Sequence, residues 1–156
     1  MKGLYQITKA LHDYLIALED VNVITGWDIS KIDLNKQTIF PLVHMEIGDV
    51  SEDGSGNATL HNFTFFFLDR VDISMDDPRD IEQYYWGNNN LIDVWHTMLQ
   101  VVMRFKESMR RGDLWDELIQ LDSWNASPID EDRYANYLAG WTLSFAIKVP
   151  NSGYIC

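Results

Sequence analysis

The residue pattern of this chain predicts an α+β fold. One domain, residues 1–156, would carry an antiparallel β-sheet with a long β-hairpin and two main helices packed on one face. Three observations predict it. Residues 137–149, YLAGWTLSFAIKV, alternate strictly: Tyr137, Ala139, Trp141, Leu143, Phe145, Ile147 and Val149 are apolar, and most residues between them are small or polar. Two stretches, 2–20 and 91–111, carry apolar residues at helical spacing. The strand-like runs also arrive in hairpin-like pairs instead of alternating with helices.

In the first helix, Leu4, Ile7, Leu11, Tyr14, Leu15 and Leu18 form one stripe that belongs on a sheet. A short apolar run, 21–27, follows and closes at Gly26. Residues 39–48 read as a strand, with Ile39, Val43, Met45 and Ile47 on one face and Leu42, His44 and Glu46 on the other. Pro41 marks a strand start or an edge, since it has no N–H for the ladder. The polar segment 49–57 reads as an exposed loop, and 58–69 as a second long strand with Phe63, Phe65 and Phe67 on one face. Together they make a hairpin whose tip is longer than the common two to five residues.

Asp77-Pro78 looks like the start of a short helix running through Trp86, with Asp77 as its cap. The helix at 91–111 has the clearest pattern in the chain: Leu91, Val94, Met98, Val102, Phe105 and Met109 keep the spacing, and Gly112 stops it. Residues 114–124 read as a strand with Ile119 and Leu121 inward, and an acidic turn at 128–133 leads into the last strand. At about 3.3 Å per residue that strand would run roughly 40 Å, and Pro150 ends it before a short tail, 150–156.

Composition narrows the function. Hydrophobic content of 46% and aromatic content of 13% belong to a folded chain. A net charge of −12 argues against a module that grips nucleic acid, which needs clustered Lys and Arg. It does not argue against a protein that surrounds DNA, because an acidic wall lets a duplex slide. The single cysteine, Cys156, allows no internal disulfide. The opening residues lack a cleavable leader pattern and no apolar run is long enough to span a membrane, so the expectation is an intracellular product. Three glycosylation sequons, at Asn57, Asn62 and Asn125, then read as chance.

Catalysis finds no support in the motifs. There is no serine elbow, no phosphate-cradling glycine loop and no HExxH. His44, Glu46 and His61 would form a metal site only if the two hairpin strands brought them together. The plainer reading is histidines on the solvent face of a hairpin. Asp76, Asp77, Asp80 and Glu82 cluster at a helix start and lack a calcium-loop pattern. No catalytic, cofactor or metal residue is therefore expected. Strand aromatics give an alternative, a small ligand- or carbohydrate-binding module, but their alternation places them in the core.

The features without an explanation inside one subunit are the long strands, the acidic hairpin tip, the aromatic cluster and the tail. The predicted protein-contact residues are Glu52 and Asp53 at the tip, Asp76, Asp77, Tyr84, Tyr85 and Trp86 before the second helix, and Tyr154 and Ile155 in the tail.

The succession of a helix, a hairpin with a long tip, a long helix and a closing strand N-x-x-A-G-W-x-x-x-F-x-I-x-V-P, here Asn136 to Pro150, resembles the small neck and tail-completion proteins of tailed bacteriophages, the tail-terminator-like group. The closing strand resembles versions from phages of Bacteroidetes, the crAss-like ones included. The resemblance implies a structural virion protein, made in the host bacterial cytoplasm and located in the virion neck or tail. Its subunits would form a six- or twelve-fold ring through whose lumen DNA passes without specific binding. Its partners would be copies of itself and other neck, portal or tail-tube proteins. The family has no catalytic residues to carry over.

Overall fold

The computed structural model describes residues 3–26, 40–71, 91–129 and 138–150. Eight elements follow one another: α1 (Leu4–Ile16), β1 (Val23–Gly26), β2 (Leu42–Glu52), β3 (Ala58–Arg70), α2 (Leu91–Arg111), α3 (Asp113–Asp116), β4 (Gln120–Ile129) and β5 (Leu138–Pro150). The strands form one sheet in the order β1-β2-β3-β5-β4, and the long helices lie on one of its faces. This is a small α+β domain, as the strand pairing in the sequence predicts.

The sheet is mixed, not purely antiparallel. β1 runs parallel to β2, Val23 opposite Leu42 and Gly26 opposite Met45, while the other three pairings are antiparallel. Four residues are too few to show an alternation, and pairing direction depends on how the connection returns, which composition does not encode.

α2 occupies the predicted residues. α1 is shorter than its apolar stripe: the helix stops at Ile16, and residues 17–20 turn, with the Leu18 N–H donating to Leu15 O at 3.1 Å. Leu18 still packs on the core, so the stripe outlasts the helix. Gln6 accepts the Gly3 N–H at 3.0 Å and satisfies one of the orphan donors of the first turn.

The hairpin tip is also shorter than expected. β2 continues to Glu52, leaving only residues 53–57 as the turn. Its polar residues look like a loop, but they lie on an exposed strand end. A bulge between Ile47 and Val50 takes up Gly48 and Asp49, and Asn62 Nδ2 donates to Asp49 O at 2.9 Å. The run at 114–124 divides too. Residues 113–116 form a helical turn, Leu118 turns at φ 66°, and the strand begins only at Gln120 and takes in Pro128 and Ile129. Ile119 is buried and Leu121 packs against the core, as predicted.

The core lies between the sheet and the helices. Phe105 of α2 is fully buried, 5.6 Å from Phe65 in a stacked arrangement and 5.4 Å from Phe145 edge-on. Phe67 and Tyr14 close the ring cluster at 6.3 and 6.2 Å. Such pairs add about 0.5–1.5 kcal/mol each beyond the area they bury. The reverse face carries a smaller apolar group, Phe40, Leu42, Phe66, Leu68, Ile129 and Leu138, confined to one end of the sheet. No helix among the described residues is long and apolar enough to cross a membrane.

Candidate interaction surface

Sheet register decides the histidines. His44 lies opposite Phe66 and His61 opposite Val50, so five residues of β3, about 16 Å, separate their levels. They also point to opposite faces: His61 shares the helix-facing side with Phe63, whereas His44 faces the reverse side beside Phe66, ring centroids 6.2 Å apart. The two do not converge, and neither lies on a solvent face. His44 is fully buried, its Nδ1 2.8 Å from Thr25 Oγ1 and its Nε2 3.7 Å from Glu46 Oε1. Among the described residues no group of three His, Cys, Asp or Glu side chains is placed to hold a metal ion.

The strand aromatics are equally committed. Phe63, Phe65, Phe67 and Phe145 are buried, which leaves the half-exposed Trp124 as the most open ring on a described strand. Lys106 Nζ lies 4.6 Å from the centroid of that indole, and the lysine itself is buried beside it.

At the hairpin tip, Glu52 is exposed at the end of β2. Asp53 is tied inward. Its carboxylate accepts from Lys148 Nζ at 2.7 Å and from the Ser55 hydroxyl at 2.7 Å, and these bonds hold its pKa well below the usual carboxylate range. The tip is thereby fastened across β3 to the end of β5. The other predicted contact residues, Asp76, Asp77, Tyr84, Tyr85, Trp86, Tyr154 and Ile155, lie outside the described residues, as does the short helix expected through Trp86.

Two sheet edges stand out. β4 pairs with β5 alone, so its outer edge has no partner among the described residues over ten residues. β1 covers β2 only as far as Met45, and the stretch from Glu46 to Glu52 has no described neighbour on that side. Exposed apolar side chains accompany both edges: Ile47 at 43% and Val50 at 51% on β2, and Trp124 at 41% on β4. A groove of about 330 Å³ runs between α1 and the β1–β2 edge, lined by Tyr5, Lys9, His12, Ile24, Met45 and Ile47. In the sequence only Pro41 hints at an edge, and Ile47 keeps the inward alternation of Val43 and Met45.

Away from its apolar end, the reverse face is polar, with a shallow depression lined by Asn62, Thr64, Ser123, Asn125 and Ser144. Thr64, Ser144 and Asn125 stand in one row across three strands, with Asn62, Ala146 and Ser123 in the next. No protein-family model matches the chain, and no curated protein matches it.

Proposed function

We propose that this chain is a structural virion protein, a tail-terminator-like subunit that assembles head-to-tail into a ring at the neck or tail end of a tailed bacteriophage. The observation that carries the reading is the pair of sheet edges, β4 on one side and the far half of β2 on the other, each flanked by exposed apolar side chains. An edge that pairs with the opposite edge of the next copy is a heterologous contact, and such contacts close into rings when the rotation allows. Two further features support it. The short polar side chains of the reverse face, Thr64, Ser144 and Asn125, suit apposition to a neighbouring surface, and a net charge of −12 suits a lumen that DNA traverses without being held. Other neck, portal or tail-tube proteins would stack on the ring through the tip at Glu52 and through the predicted contact residues at 76–86 and 154–155.

The carbohydrate-binding alternative gains nothing from the fold, because the rings it requires are in the core. Native mass spectrometry and negative-stain imaging of the purified protein, alone and with candidate neck partners, test the proposal. Closed rings of a single stoichiometry are expected. A monomer under every condition, at concentrations up to hundreds of micromolar on the scale of weak assembly contacts, sinks it.

A further inference from the structure

His61 is a polar side chain in an apolar row. It sits on β3 between Val50 of β2 and Ile147 of β5, with Leu121 of β4 next in line, on the side that faces the helices. The residue is 6% exposed, and neither ring nitrogen has a hydrogen-bond partner. Charged groups on the elements around it include Asp49 and Glu52 near Val50, Lys148 beside Ile147, Asp122 beside Leu121, the buried Lys106 of α2 with its partner Glu107, Arg110 and Arg111 ending α2, and Asp113, Asp116 and Glu117 in and after α3. None of them hydrogen-bonds to the ring. A neutral imidazole is tolerable in this position. An imidazolium would be a bare charge with two dry donors.

The surrounding structure has a natural place to yield. The bulge at Gly48–Asp49 separates the far end of the β2–β3 ladder from the near end, and β2 beyond it has no described outer neighbour. The tip is tied across the sheet through Asp53 and Lys148. We propose that His61 is a proton-operated latch for the far half of the hairpin. Neutral, it leaves residues 50–62 closed on β5; protonated, it releases them so that the ring reaches water. Burial holds the His61 pKa below the ordinary imidazole value of 6.5. The unfolded or opened segment therefore takes up the proton first. Closure is complete above about pH 6.5 and weakens as pH falls, by up to roughly tenfold per pH unit until the folded pKa is reached.

Hydrogen exchange followed by mass spectrometry at pH 7.5 and 5.5, corrected for intrinsic rates, reads the latch directly. Protection at 50–62 is expected to fall several-fold more than protection at 63–70, with most of that difference abolished in His61→Leu. Equal losses in the two halves, or an unchanged pH response in His61→Leu, overturn the proposal. If the leucine variant does not fold, the His61 ring titration by NMR in the unmodified protein decides. A midpoint below 6.5 that coincides with shifts at the tip supports the latch, and a midpoint at or above 6.5 refutes it.

Discussion

The indole N–H of Trp141 on β5 donates to the main-chain carbonyl of Trp95 on α2 at 2.8 Å, and the Trp95 indole donates in turn to the carbonyl of Ile129 on β4 at 2.9 Å. Two tryptophans thus fasten one helix to two adjacent strands, each burying an apolar body while placing its single donor on a backbone acceptor. Trp141→Phe keeps most of the packing and loses the donor, so it should cost about 1–2 kcal/mol, allowing for a carbonyl left short of a partner. Trp141→Ala removes the body as well and should cost about 3–5 kcal/mol. Urea denaturation of both variants separates the terms; no loss in Trp141→Phe would mean that the hydrogen bond contributes nothing measurable.

Directly before Trp141, the strand leaves no room for a side chain. A Cβ on Gly140 would lie 1.7 Å from Phe67 O and 2.8 Å from Phe67 C, and the residue sits at φ +154°. The obstacle is the backbone of the central strand, which cannot turn aside as a side chain would. Gly140→Ala should therefore destabilise by more than about 4 kcal/mol, enough to unfold a marginal domain. A Cβ on Gly48 would lie 3.0 Å from Asn62 O, next to a bulge that can give. Thermal unfolding should rank Gly48→Ala as clearly the milder change. The reverse order would contradict the assigned register of β3 on β5.

How much of this was legible follows from where each signal resides. α2 was readable to its ends because its stripe runs through five turns and Gly112 follows, and β5 because its alternation is unbroken. Both properties depend on nearby residues alone. The parallel entry of β1, the bulge at Gly48–Asp49 and the opposed faces of His44 and His61 depend on register between strands, a relation among residues far apart in the chain. The tip was misjudged because Asp49, Ser51 and Glu52 serve equally well in a turn and on an exposed strand end. Of the predicted contact residues, Asp53 shows the limit: its charge was visible in sequence, but its engagement with Lys148 required the hairpin to close.

That ion pair predicts a pH response of its own. The Asp53 carboxyl is held below its ordinary value of 3.8 by the hydrogen bonds from Lys148 and Ser55, so its contribution to closure is complete above that pH and lost as pH falls below it. The Lys148 ammonium is held above 10.5 by the same partner, so its contribution persists below that value and is lost as pH rises through the folded pKa. The tip should thus stay fastened from about pH 4 to pH 10 as far as this pair is concerned. In Asp53→Asn, hydrogen exchange at 50–58 should be faster at neutral pH and lose its acid-side step below pH 4. A step unchanged by the substitution would assign it to another carboxylate. The His61 response begins in a separate range, as pH falls below the ordinary imidazole value of 6.5, so its onset is distinct from the Asp53 step.

The reverse face of β5 gives the sharpest separation of folding from assembly. Ser144 is exposed, and its cross-strand neighbours, Thr64 and Asn125, are short and polar. A lysine there can extend its stem over the sheet and keep its ammonium in water, so Ser144→Lys should change monomer stability by no more than about 0.5 kcal/mol. If the proposed ring forms with this face against a neighbouring subunit, the same lysine must be desolvated without an opposite charge at that position. Each subunit of the ring repeats the penalty, and closed rings should give way to monomers. Ser144→Thr, which adds a methyl group and no charge, should assemble normally and serves as the control. Circular dichroism melts paired with native mass spectrometry make the measurement. A variant that keeps its melting temperature and loses its rings places the contact on this face. One that keeps both leaves assembly to the sheet edges alone, and one that loses its fold would show that the reverse face is packed within the subunit.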